Sequence, residues 1–391
     1  MSTLARRKLT SAPDATRLLK LIRERRTDLT ESIREFVELE SPSDHKASVD
    51  RLGELLATRF ETLGGRPTFH RQHEFGDHLQ ITFSGETGRP VLLLGHFDTV
   101  WELGSLQKMP WRVRQGRLWG PGVLDMKSGI ALMLHAIVAL RELRKRLPRP
   151  VTVLLNTDEE VGSSSSRKII ESLARKSSAV LVLEPAQGSH GAVKTARKGV
   201  GDYSLKVIGR AAHAGVDFGS GLSAILELAK QIIRISQFTH AKPGLTVNVG
   251  VIRGGTRTNV IAAEAVAEID IRIARKNDAA FVEKKMRALR PFSRECRLEL
   301  SGGINRPPME RTPGVAALFG TASKIALQLD WKLEEAATGG GSDGNFTSAL
   351  GIPTLDGLGA VGEGAHASHE SVVIDELPRR AALLASLIEA V

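Results

Sequence analysis

Acids and histidines stand at the ends of apolar runs in this chain. His96 and Asp98 close VLLLGHFDTV; Asp158, Glu159 and Glu160 close VTVLLNTDEEVG; Glu184 closes AVLVLEP. Asp125 lies in GPGVLDMKSG, and His366 and His369 lie in GEGAHASHES. Singly, each has a plain structural explanation, since an Asp before a helix caps it and a lone His is satisfied by hydrogen bonds. Together they do not, because carboxylates converging at one sheet edge repel one another and lose hydration without compensation. A bound cation removes that conflict. Carboxylates and imidazoles without cysteine suit Zn2+ or a related divalent ion in a hydrolytic site.

For these residues to meet, the apolar runs must be neighbouring strands. The sequence predicts buried strands at 91–95, 151–157 and 179–184, and helices at 14–39, 47–64, 127–147 (stopped by Pro148) and about 165–176. Apolar strands alternating with helices imply a parallel or mixed sheet covered on both faces, with sites at the carboxyl ends of its strands. From Gly199 the rhythm changes to strand (DYSLKVIG), helix (SGLSAILELAKQIIRISQF), two strands (LTVNVGVI and AEAVAEIDIRI), helix (DAAFVEKKMRALR) and strand (RLELSG). That order is β-α-β-β-α-β. After RPPMERTPG the first rhythm resumes with a helix at 314–328, the glycine run 339–341, the strand IPTLDGL and a closing helix at 375–390. The expected class is α/β, with a catalytic domain over 1–198 and 311–391 and an inserted domain over 199–310.

The ordered set GHFDTV, GPGVLDMKSG, NTDEEVG, LEP, GRAAHAG, GGGSDGN and GAHASHES resembles the co-catalytic zinc exopeptidases and deacylases, the family of glutamate carboxypeptidase, succinyl-diaminopimelate desuccinylase and aminoacylase. The likeness runs from about residue 90 to the C-terminus. It implies a zinc-peptidase-like mixed sheet with helices on both faces and an inserted ferredoxin-like lid and dimerisation domain. It also implies two Zn2+ per chain, with Co2+ able to substitute. His96 and Glu184 would bind one metal, Glu160 and His366 the other, and Asp125 both; Glu159 would be the general base and Asp98 would orient His96. Many relatives carry Asp or Asn where this chain has His369, so His366 and His369 compete as the fifth ligand. Motif register favours His366, with His369 as nearby support.

The resemblance extends to the inserted domain. His213 in GRAAHAG matches a histidine that reaches the partner subunit's active site and stabilises the tetrahedral intermediate, which implies a homodimer. Asn259 in GGTRTNVI and Arg272 in EIDIRI match positions that hold substrate, and the backbone amides around Gly340, Gly341 and Ser342 add donors suited to a carboxylate. Arg272 reads equally well as a surface arginine on a strand.

Composition bounds the remaining possibilities. A length of 391 residues with 41% hydrophobic content supports two cores. The lone Cys296 excludes an intrachain disulfide and fits a reducing compartment. A net charge of +10 raises nucleic acid or an acidic small molecule as partner. The basic residues are scattered, and a single Tyr and 4% aromatics leave little stacking surface, so no nucleic-acid module is expected. The basic N-terminus lacks an apolar signal core, and no later stretch reads as the ~18 apolar residues of a membrane span. The expectation is a cytoplasmic protein away from membranes.

The function expected is hydrolysis of a peptide or N-acyl amide bond next to a free amino-acid carboxylate, as in glutamate carboxypeptidase. An aminoacylase or an N-carbamoyl amino-acid hydrolase of the same fold is the alternative. A catalytically silent binding or scaffold protein would lack the base or a ligand, and none is missing here.

Overall fold

The computed structural model of the chain describes residues 15–144, 146–240 and 244–391. The first part of the N-terminal basic segment, up to residue 14, lies outside the described residues. The chain divides into two units. One holds the described residues up to Thr195 with Thr312–Ala336 and Leu350–Val391; the other holds Ala196–Arg311 and Ala337–Ala349.

In the first unit the apolar runs form the middle of a six-stranded sheet. Its order is Arg66–His70, His78–Phe83, Val151–Asn156, Val91–His96, Ala179–Val182, Thr354–Leu355. Every residue of the three middle strands is buried, as strands covered on both faces require. Val91–His96 runs parallel to both neighbours, pairing His96 with Asn156 and Leu94 with Val182. The residues that follow these strands therefore leave from one edge. His78–Phe83 is antiparallel to Val151–Asn156, so the sheet is mixed.

The helix Ser128–Leu143 packs on Leu377–Ala390, which packs in turn on Ala15–Glu24 and Pro313–Gln328. Arg380, fully buried in Leu377–Ala390, donates to the carbonyls of Gly359 and Gly191, each at 2.8 Å, and of Gly357. The Gly359 amide donates to the Glu184 carbonyl at 2.9 Å. One buried guanidinium thus fastens the loop on which Glu184 leans, and burial pushes its pKa down to about 9.

Several elements differ from the sequence reading. The first helix is two, Ala15–Glu24 and Arg26–Val37, broken at Arg25 with no Gly or Pro to mark the break. The 127–147 helix ends at Leu143, because Arg144 is already extended. The hairpin Arg66–His70 with His78–Phe83 and the four short strands Gly362–Glu363, Ser371–Val373, Arg117–Trp119 and Arg112–Arg114 were not foreseen. Contrary to the expectation that no stretch is apolar and long enough to cross a membrane, Val123–Leu143 is, among the described residues. Its apolar window is 89% buried, the signature of a core helix.

In the second unit, Gly199–Ile208, Ala224–Ser236, Thr246–Gly254, Glu264–Ile273, Lys276–Arg287 and Arg297–Arg306 follow in the order strand, helix, strand, strand, helix, strand. The four strands form an antiparallel sheet in the order Thr246–Gly254, Glu264–Ile273, Gly199–Ile208, Arg297–Arg306. Alternation puts Tyr203, Leu205, Ile269 and Ile271 into a core with Leu228, Ile235, Val282 and Met286. Chain order placed residues 337–349 with the catalytic domain, but their bonds go elsewhere. Arg197 donates to the carbonyls of Gly340 and Gly341 at 3.2 and 3.1 Å, and the Asn345 amide to those of Lys198 and Pro307 at 3.1 and 2.7 Å.

Candidate metal centre

His96 is the last residue of a central strand and is 1% exposed. Its Nδ1 lies 3.0 Å from the Asp98 carbonyl and 3.4 Å from Asp98 Oδ1. A carbonyl only accepts, so Nδ1 carries the proton and the lone pair of a neutral ring is on Nε2. Nε2 faces Asp125 Oδ1 at 3.2 Å and Glu184 Oε1 at 3.5 Å.

The second imidazole arrives from the C-terminal motif. His366 Nε2 lies 3.2 Å from Glu160 Oε2 and 3.5 Å from Asp125 Oδ2. The two oxygens of Asp125 therefore face two different histidines. His366 sits in the left-handed backbone region at φ 61°, a conformation that side chains other than glycine rarely hold unless the surroundings impose it. His366 and His369 are both exposed, and His366 is the one whose ring stands within 3.5 Å of both Asp125 and Glu160.

The acid run after Val151–Asn156 divides three ways. Asp158 is fully buried, and its Oδ2 accepts from the Ser165 amide, the Ser165 hydroxyl and the Ser166 amide at 2.8, 2.7 and 3.2 Å. It thereby holds the turn that leads into the helix Arg167–Lys176. The Glu159 carboxylate joins His96 and Glu184 in one group of ligand atoms lying within 4.8 Å of one another. Glu160 joins His96 and Asp125 in another.

This donor set fits a divalent cation. A neutral His96 offers a lone pair to two carboxylates that can only accept, and His366 stands likewise against Asp125 and Glu160; a positive ion between them satisfies all. The carboxylates of Asp98, Asp125, Glu159, Glu160 and Glu184 also outnumber the two imidazoles, leaving negative charge even with both rings protonated. Without a metal the rings take the cation's place. Hydrogen bonds to Asp125 and Glu160 push His366 up to about 10. Burial opposes charge on His96, but Asp125, Asp98 and Glu184 raise it well above the ordinary value. Burial also works against charge on Asp125, yet His366 and His96 hold its carboxyl below the usual carboxylate range. For Glu160 burial wins and the pKa rises.

The remaining expected residues lie in the second unit. The amides of Gly215 and Val216 both donate to His213 Nδ1 at 3.1 Å, leaving the proton of the exposed ring on Nε2. The Ala214 amide donates to the Asn259 carbonyl at 3.0 Å, which brings His213 and Asn259 onto adjoining segments. Arg272 forms a two-point pair with Asp270, at 3.1 Å from Nε and 2.8 Å from the guanidinium end. The surface-strand reading describes that state. Sequence reasoning missed Arg306, which is 5% exposed, pairs with Asp343 at 3.3 Å and lies against Gly341. It also missed Glu370, 1% exposed, whose carboxylate binds the backbone around Asp125.

Comparison with known proteins agrees with this chemistry. Residues 92–390 match the family model described as Peptidase family M20/M25/M40. The chain is 30% identical over 363 residues to carboxypeptidase G2 of Pseudomonas sp. (strain RS-16), covering 91% of this chain and 88% of that protein. It is 27% identical over 346 residues to succinyl-diaminopimelate desuccinylase of Caulobacter vibrioides, covering 81% and 86%. Among solved structures it resembles aminopeptidase PepT from Bacillus cereus, with TM-score 0.75 at 22% identity and coverage of 93% and 98%. It also resembles the Bacillus subtilis YxeP protein, described as a dinuclear metal binding peptidase, with TM-score 0.70 at 17% identity and coverage of 94% and 98%.

Proposed function

The chain belongs to the peptidase family M20/M25/M40 and is a metallopeptidase, and we propose that it uses two divalent metals, Zn2+ first among them, to cleave a peptide or N-acyl amide bond beside a free amino-acid carboxylate. The observation that carries this reading is Asp125, whose two oxygens face His96 and His366 separately. His96 and Glu184 would hold one metal, Glu160 and His366 the other, and Asp125 would serve both. The bound ions supply Lewis acidity and lower the pKa of a water nucleophile.

The chain's own groups handle protons and position. Glu159 takes a proton from the attacking water as its oxygen adds to the scissile carbonyl carbon. It returns that proton to the leaving nitrogen as the C–N bond breaks, releasing an acid and an amino acid. Asp98 keeps His96 in the tautomer with Nε2 free. His213, with Nε2–H available, donates to the developing oxyanion. We place that donation across a homodimer formed through the second unit. The exposed Val216, Phe218, Leu226, Ile233 and Ile252 on that unit favour such an interface. Asn259, Arg272 and the backbone at Gly341 receive the substrate carboxylate, Arg272 exchanging Asp270 for it. A single buried thiol accords with the cytoplasm.

Chelation should abolish hydrolysis, with Zn2+ or Co2+ restoring it and about two metals bound per chain. An N-acyl glutamate should be cleaved with a kcat/KM at least tenfold above that of its C-terminal amide, and Arg272→Ala should narrow the gap. Full activity in metal-free protein would refute the reading. Preference for a neutral N-acyl leucine would move the enzyme toward aminoacylase chemistry.

A further inference from the structure

Glu370 stands where two parts of the first unit are joined. The strand Ser371–Val373 begins at the next residue and pairs antiparallel with Arg117–Trp119, setting Ser371 opposite Trp119. From Trp119 the chain runs directly into the loop that ends in Asp125. Glu370 therefore faces that loop as it leaves the sheet.

Its carboxylate is completely used. Oε1 accepts from the amides of Leu124 at 2.8 Å and Asp125 at 3.0 Å; Oε2 accepts from the Gly122 amide and from Trp101 Nε1, both at 2.8 Å. Four donors meet the four lone-pair sites of one buried carboxylate, and hydrogen bonds to an ionised acceptor are the strong ones. The loop could not obtain these bonds from itself. Gly122 is in the left-handed region at φ 70°, and this part of the chain makes no regular ladder to satisfy its amides.

Glu370 also belongs to the turn that presents His366. The Ala367 amide donates to the Gly364 carbonyl at 2.8 Å and the Glu370 amide to the Ala367 carbonyl at 2.9 Å, so His366 and Glu370 share a short bonded turn. One end of this turn supplies an imidazole and the other holds the backbone of the carboxylate facing it.

We infer that Glu370 is the positioning residue of the metal centre, fixing the Asp125 backbone relative to His366 so that both oxygens of Asp125 point at separate histidines. It touches neither substrate nor metal, and acts through Asp125. The inference rests on the two-metal reading above for its consequence, but the clamp itself is a property of the protein without metal.

The test uses the full chain and the near-isosteric Glu370→Gln, whose amide accepts at one oxygen only and turns an NH2 against two of the four donors. Glu389→Gln is the control, because Glu389 is also a buried acid in an ion pair, with Arg144, but has no bond to the metal ligands. Hydrogen exchange is measured on metal-free protein, and Co2+ affinity by titration of the visible spectrum. Glu370→Gln should lose amide protection in a peptide spanning 120–126 and keep it elsewhere. Its Co2+ affinity should fall 10–100-fold with an altered spectrum, while the control stays within twofold of wild type. Unchanged protection at 120–126, or a loss spread evenly through the first unit, would overturn the clamp. An unchanged Co2+ affinity would overturn its role at the centre. If the wild type bound no Co2+, the two-metal reading would fail, and exchange at 120–126 would still decide the clamp.

Discussion

The carboxylate of Asp98 accepts a hydrogen bond from the backbone amide of Glu160 at 3.3 Å. The contact ties the residue two places after His96 to the acid run that follows the neighbouring strand. The same oxygen accepts from the Ser43 hydroxyl at 2.7 Å, while the other lies 3.4 Å from His96 Nδ1. One fully buried acid therefore sets two groups from different strands. Asp98→Asn keeps the shape but exchanges an acceptor for an NH2 that must face either the His96 N–H or the donors on the other side. Metal affinity should fall 10–100-fold, measured by competition with a coloured chelator. Wild-type affinity in the variant would remove Asp98 from the support of the site.

Glu159 and Glu160 are adjacent in sequence and predicted to fail differently. Glu160 faces His366 at 3.2 Å, and Glu159 lies within 4.8 Å of His96 and Glu184 ligand atoms. Glu159→Gln should retain metal and lose ~10²-fold or more in kcat, the scale of a missing general base. Glu160→Gln should lose metal first, so that added Zn2+ recovers part of its activity. Elemental analysis beside kcat separates the two, and equal metal loss in both variants would contradict the division of labour.

The contrast between Glu160 and Glu370 shows what the sequence could carry. Glu160 follows an apolar strand, and acids at the ends of buried strands stand out because their residue type conflicts with their surroundings. The same contrast exposed His96, Glu159 and Glu184. Glu370 follows no such run. Three of its four partners are backbone amides 245 to 248 positions away, and a backbone amide leaves no mark in residue type. Arg306 escaped for a related reason, since its partner Asp343 belongs to a segment that chain order assigned elsewhere. Among the elements, long apolar strands were legible, whereas Arg112–Arg114 was not, because three residues are too few to establish a period and its one apolar residue, Val113, stays exposed. The break at Arg25 is likewise silent, since the apolar stripe continues across it through Ile22 and Leu29.

Away from the metal centre, His135 sets an acid limit on stability. It lies in the core helix Ser128–Leu143 at 5% exposure, with Nε2 3.0 Å from the Ser32 hydroxyl. That hydroxyl donates its only proton to the Asp28 carbonyl, so it accepts from His135 and, at 3.0 Å, from Arg59. The ring is thus a neutral donor, and burial, then the Arg59 charge, pushes its pKa down to about 4 from 6.5. A folded pKa below the unfolded one means that the unfolded chain binds the proton first. Stability is complete above about pH 6.5, declines as pH falls toward 4, and the full loss is about 3 kcal/mol. His135→Gln retains an N–H for Ser32 and does not titrate. Urea unfolding of metal-free protein at about pH 7 and about pH 5 should show the wild type losing about 2 kcal/mol more than the variant. The other titrating groups are common to both proteins and cancel in that difference. Parallel losses in the two proteins would show that His135 does not carry the acid sensitivity.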